Sequence, residues 1–310
     1  MLHSFALIST LLLTVAPQAP ATAPTEGILL LAHGGGPEWN ARVTTLAASL
    51  GASTPVEVAF GMATRANIQG AIDRLQARGV SSIVAVPLFV SSHSSVITST
   101  EYLLGLRAER PRDLEIFARM SHGAGGGHEA HAPAADPEAN LRPVQTTLPI
   151  VMAPALNDHP LVADILGSRA LALSRAPASE AVVIVAHGPV PDVDNARWLA
   201  DMRRLADRIG ASTPFASIDA LTVRDDAPAP IRDRATAELR SLVERRAGEG
   251  RRVLIVPLLL TYGGIERGIV KRLEGLTYEM ASQALLPDPR IEEWVRASVA
   301  AARTPAGAQR

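Results

Sequence analysis

Gly27-Ile-Leu-Leu-Leu-Ala-His33-Gly34 and Ala181-Val-Val-Ile-Val-Ala-His187-Gly188 are one phrase written twice. Each reads as a buried parallel strand whose last side chain before a tight glycine turn is an imidazole. A titratable, metal-capable group therefore stands at the carboxyl end of a strand, where open α/β sheets keep their ligand sites.

Outward from the first copy, apolar runs of strand length bounded by Gly, Pro or Ser fall at 27–32, 55–60 and 82–89, with helical stretches at 38–50, 65–78 and 94–106. In the second of these helices Ile68, Ala71, Ile72 and Leu75 share one face. A second round follows, with strands at 148–156, 181–186, 214–222 and 251–260 and helices at 160–174, 193–209, 228–247, 264–274 and 288–302. The alternation implies parallel sheets with right-handed crossovers. Val86-Pro87-Leu-Phe-Val aligns with Val256-Pro257-Leu-Leu-Leu just as His33 aligns with His187, so two anchor points in order argue for internal duplication. The expected fold is α/β, two similar doubly wound halves with parallel sheets: a first half at 27–120 and a second at 148–303, separated by an insertion at 121–147.

Composition bounds the chemistry. The 310 residues are 47% apolar, enough for a real core, and 30 basic against 31 acidic residues give no electrostatic reason for a nucleic-acid partner. With no cysteine, thiolate metal sites, thiol nucleophiles, iron-sulfur clusters and disulfides are all excluded. Any metal must be held by imidazole, carboxylate or water.

Residues 1–26 read as a signal peptide: Phe5 to Ala16 has the length of its apolar core, and Ala21-Thr-Ala23 resembles a cleavage site. The expectation is a periplasmic or secreted chain with no membrane span after processing, a cytoplasmic one being the alternative. The glycine-rich stretch Ser121–Asp136 carries His122, His128 and His131, and is either a metal-collecting loop or a polar linker with incidental histidines.

After the third strand comes Pro87-Leu-Phe-Val-Ser-Ser-His93, a small-residue loop with its own imidazole. First and third strands of a βαβαβ unit can be neighbours, which would let His33 and His93 face each other across one crevice. Other chemistries lack their parts. His33-Gly-Gly-Gly36 resembles an esterase oxyanion strand, but no G-x-S-x-G elbow exists; Ala32 and Ala186 stand where a phosphohistidine phosphatase would need arginine; no dinucleotide or Walker loop follows the first strand. Metal-imidazole chemistry survives.

The strand-His-Gly start, Val56-Glu-Val-Ala-Phe60, Pro87-Leu-Phe-Val90 before His93, and Ala153-Pro-Ala-Leu-Asn-Asp-His159-Pro-Leu161 together resemble the class II tetrapyrrole chelatases, the sirohydrochlorin cobaltochelatases and ferrochelatases of cobalamin and siroheme synthesis. The resemblance spans residues 27–295, in the long two-half form. It implies ATP-independent insertion of Co2+ or Fe2+, as substrate and not resident cofactor, into a tetrapyrrole between two similar halves, with the family's two active-site histidines falling on His33 and His93. Neutral imidazoles bind a borderline divalent ion, release it, and can take up the two pyrrole protons that insertion expels. Glu57 and Glu101 are further carboxylate candidates, although a solvated role suits both. In the second half His187 has no histidine partner; Thr261-Tyr-Gly-Gly-Ile-Glu266 offers Glu266 as a ligand, or a glycine turn that only binds a substrate carboxylate. Expected partners are therefore a tetrapyrrole and a divalent ion, with room for a homo-oligomer. The rival function is a non-enzymatic periplasmic metal- or tetrapyrrole-binding protein.

Overall fold

A computed structural model describes residues 25–120 and 137–303; the leader reading, apart from its last two residues, and His122, His128 and His131 lie outside the described residues. Strand β1 (Glu26–Ala32) is buried from Gly27 onward, as its unbroken apolar run requires, and it runs at the centre of a sheet. The first half continues as α1 (Pro37–Gly51), β2 (Val56–Phe60), α2 (Arg65–Ala77), β3 (Ser82–Pro87), α3 (Ser95–Leu103), α4 (Leu114–Met120), β4 (Ile150–Met152) and α5 (Pro160–Leu173). The second repeats the order, without a counterpart of α4, as β5 (Glu180–Ala186), α6 (Asp192–Ser212), β6 (Ser217–Thr222), α7 (Ala229–Gly248), β7 (Arg252–Leu258), α8 (Ile265–Arg272), β8 (Glu279–Met280) and α9 (Pro289–Ala302). Two four-stranded parallel sheets result, ordered β2-β1-β3-β4 and β6-β5-β7-β8.

One boundary moves. The strand expected to open the second half, at 148–156, is shorter, and as β4 it pairs with β3 in the first sheet through Ile83–Ile150, Val84–Val151 and Ala85–Met152. It is an edge strand with Val151 exposed, so its apolar run carries no label saying which sheet it joins. The duplicated unit is therefore strand to terminal helix, 26–173 and 180–302.

The terminal helices are exchanged. α5, at the end of the first unit, packs on α6 and β7 of the second, while α9, at the end of the second, packs on β3 and α1 of the first. One apolar cluster accordingly runs through both halves, from Leu30, Val84 and Val86 through Ile165 and Leu166 to Ile184, Val256 and Trp294. At roughly 1.5–3 kcal/mol for each fully buried large aliphatic side chain, this shared core binds the halves more firmly than any surface ion pair could. No helix among the described residues is long and apolar enough to cross a membrane.

The glycine after each strand-end histidine has the same left-handed backbone, Gly34 at φ 81° and Gly188 at φ 76°. That conformation costs an L side chain about 1–2 kcal/mol. At Gly188 space is closed as well, since an added methyl would lie 2.5 Å from Thr222 Cβ at the end of the neighbouring strand. Gly188→Ala is expected to destabilise the chain by about 2–4 kcal/mol, combining that strain with local overpacking. Urea unfolding against wild type checks it, and a loss below about 0.5 kcal/mol would contradict the turn geometry.

Candidate active site

The register brings the loops that carry the first-half histidines to adjacent strand ends. β1 and β3 pair directly, with Leu31 opposite Pro87, so the loop carrying His33 and the loop carrying His93 leave the same edge side by side. Each ring has its own partners. His33 is exposed, its Nδ1 lies 2.6 Å from the carbonyl oxygen of Gly34, and its ring sits 6.5 Å from that of Trp39. Trp39 in turn separates two glycine turns: a methyl on Gly35 would be 2.9 Å from its Cγ, and one on Gly263, in the second half, 3.1 Å from its Cδ1. Trp39, beside His33, thus meets both halves.

The loop before His93 is braced from the chain segment after β4. Asn157, with left-handed φ of 44°, accepts the backbone N–H of Ser92 at 2.7 Å and donates to the Ser92 hydroxyl at 3.0 Å, while that hydroxyl accepts Ala155 N–H at 2.9 Å. The Ala-Pro-Ala-Leu-Asn-Asp-His segment is therefore a clamp on the histidine loop. Its own His159 is a helix cap, Nδ1 accepting Leu161 N–H, and burial, then the Arg208 charge, push its pKa down.

Helix α6 of the second half completes the setting of His93. Trp198 Nε1 donates to the His93 carbonyl at 2.7 Å, and Asp201 Oδ2 stands 3.9 Å from His93 Nε2. That is ion-pair range and beyond a hydrogen bond. Asp201 is 5% exposed; Arg204 holds its Oδ1, whereas Oδ2 has no hydrogen-bond partner. Burial pushes its pKa up, more than the charges of Arg204 and His93 pull it down. Arg204 also binds Asp158 at 2.6 Å, tying the same helix to the clamp. Trp198, Asp201 and Arg204 escaped the sequence reading, although an aspartate on the buried face of α6, between Trp198 and Met202, is a signal that could have found them.

The second half has no matching pair. His187 Nε2 meets Asp226 at 3.3 Å, not Glu266. Glu266 is committed to its own turn, accepting the N–H groups of Gly263 at 3.1 Å and Gly264 at 2.8 Å at the start of α8. Burial opposes its ionisation, but the Gly264, Glu266 and Gly263 backbone bonds prevail and hold its pKa below the usual range. Glu57 is likewise occupied, with Arg74 at 2.7 Å and Arg78 at 3.3 Å on the sheet edge, and Glu101 lies 4.0 Å from Arg107. Among the described residues no group of three or more His, Asp or Glu side chains is gathered as a metal cage.

The chain matches the CbiX family over residues 27–173. No curated protein sequence matches it. Among solved structures it is similar to SirB from Bacillus subtilis, determined with Fe3+, at 17% identity and TM-score 0.56, covering 89% of this chain and 94% of that one. It is similar to CbiX, described as the terminal enzyme for siroheme biosynthesis in denitrifying bacteria, at 17% identity and TM-score 0.51, covering 90% and 100%. DR2241 from Deinococcus radiodurans, a multi-domain protein with structural similarity to chelatases, matches at 15% identity and TM-score 0.53, covering 91% of this chain but 56% of that one. At these identities the likeness is one of fold: two-half, chelatase-like α/β.

Proposed function

We propose that this chain, which matches the CbiX family over residues 27–173, is a class II tetrapyrrole chelatase that inserts Co2+ or Fe2+ into a reduced tetrapyrrole such as sirohydrochlorin, without ATP, at His33 and His93. The observation that supports the reading is the pairing of β1 with β3, from whose adjacent ends the loops carrying His33 and His93 depart. Two neutral imidazoles hold a borderline divalent ion without the grip of a closed cage, so the ion can pass to four pyrrole nitrogens. Insertion expels two N–H protons; an imidazole freed of the metal accepts one, and water or the second imidazole the other. His33, exposed, suits delivery, whereas the backbone of His93 is held at its N–H by Ser91 and at its carbonyl by Trp198. The leader-like composition of residues 1–26 alone supports a periplasmic or secreted setting.

The test is metallation by purified chain given sirohydrochlorin and Co2+ or Fe2+. Metallated-pigment absorbance should grow beyond one equivalent of protein. Growth that stops at one equivalent with both metals would replace the enzyme by a binding protein. With chemistry confined to the first half, His187→Ala should keep turnover within about twofold of wild type, a change of under 0.5 kcal/mol in barrier. A loss of tenfold or more would move the site to the second half.

A further inference from the structure

We propose that Asp201, on a helix of the second half, is a positioning residue for His93: its Oδ2 carboxylate oxygen accepts the Nε2 proton of His93, fixing the imidazole as the Nε2–H tautomer and leaving Nδ1 as the nitrogen that takes the metal. The inference rests on the metal-binding role given above to His93. Oδ2 of Asp201 is buried and without a hydrogen-bond partner, and a carboxylate oxygen so placed is costly unless something donates to it. The group facing it within ion-pair distance is His93 Nε2, at 3.9 Å. A shift of about 1 Å closes this to a hydrogen bond, the kind of tightening that catalytic hydrogen bonds undergo when a site is filled.

The surroundings bias which partner moves. Asp201 is anchored through Oδ1 by Arg204, itself anchored by Asp158, and the His93 backbone is pinned by Trp198 through its carbonyl and by Ser91 Oγ through its N–H. Only the 37%-exposed imidazole is free to turn. Among the described residues His93 Nδ1 makes no hydrogen bond, so it is the nitrogen left with an available lone pair once Nε2 carries the proton. A carboxylate behind a metal-ligating histidine is the general way its tautomer and basicity are set. The second half, with Glu266 spent on its own turn, thereby contributes to the first half's site from outside the ligand set.

Histidine ring NMR of the full-length chain at pH 8, with the His93 signal assigned by its loss in His93→Gln, should show Nε2 protonated and Nδ1 bare in wild type. Asp201→Asn should shift the ring toward a mixture of tautomers and weaken Co2+ binding about 10–100-fold. An Nδ1–H tautomer in wild type overturns the proposal without any variant, so it stays testable even if Asp201→Asn fails to fold. Co2+ affinity in Asp201→Asn within twofold of wild type also overturns it. Neither readout requires pigment metallation: tautomer and Co2+ affinity responding as stated in a chain that never turns over would uphold Asp201 while sinking the chelatase reading.

Discussion

His93→Ala and His33→Ala should each lower kcat/KM for tetrapyrrole metallation by at least about 100-fold, the lower end of what a positioned acid-base group contributes. The two losses should differ in their structural cost. His33 is exposed and bonded only to its own turn, so removing its ring should change stability by no more than about 0.5 kcal/mol. Removing the His93 ring takes away the group facing Asp201 Oδ2, so that variant should be the less stable of the pair while retaining its fold through Arg204. Steady-state metallation, with circular dichroism and urea unfolding as controls, checks both statements. Full activity in either folded variant would remove that histidine from the site.

Glu180→Ala should give the largest stability loss of any charge-removing change considered, about 3 kcal/mol and at most about 5. Glu180 is 1% exposed at the start of β5 and serves four donors: Ser174 Oγ, Arg175 N–H at 2.9 Å, Ala176 N–H at 3.3 Å and Arg252 at 2.6 Å. Alanine removes the acceptor that Ser174 and the Arg175 and Ala176 N–H groups share. Arg252 falls back on Glu279 at 3.1 Å, which keeps the loss toward the lower figure. Burial by itself would raise the Glu180 pKa, but the bonds from Ser174, Arg175, Arg252 and Ala176 outweigh it and hold the folded-state pKa below the ordinary value of 4.5. A depressed folded pKa means that the stabilisation is complete above the unfolded value and is lost as pH falls through the folded one. The wild-type advantage over Glu180→Ala in urea unfolding should therefore be flat from neutral pH down to about 5 and shrink in more acid solution. An advantage that grows on acidification would contradict the assignment.

Most of the fold was legible because the strands are so uniformly apolar. Gly27–Ala32 and Ala181–Ala186 can only be central parallel strands, and the interleaved amphipathic helices follow. What periodicity could not convey was which sheet a strand of three residues joins, or that α5 and α9 cross to the opposite half, since exchange conserves every local pattern and changes only long-range pairing. The strand-end histidines were visible as site candidates for the same reason as the strands. Glu266 was ambiguous because a glutamate two residues after Gly264 looks equally like a ligand and like the cap of its own helix, and the backbone bonds it accepts are visible only in the folded chain. Asp201 and Trp198 were missed because their meaning lies across the half boundary: within α6 they are a polar residue and an aromatic on a buried face, and only the packed structure sets them against His93.

On the proposed function, metal is handled in the first half, by His33 and His93. Anomalous scattering from crystals of the full-length chain grown with Co2+ tests it most directly. Cobalt should be bound by His33 and by Nδ1 of His93, with Asp201 drawn to within hydrogen-bond distance of His93 Nε2 and no cobalt between His187 and Asp226. Cobalt bound at His187 and Asp226, with His33 and His93 free of metal, would contradict it.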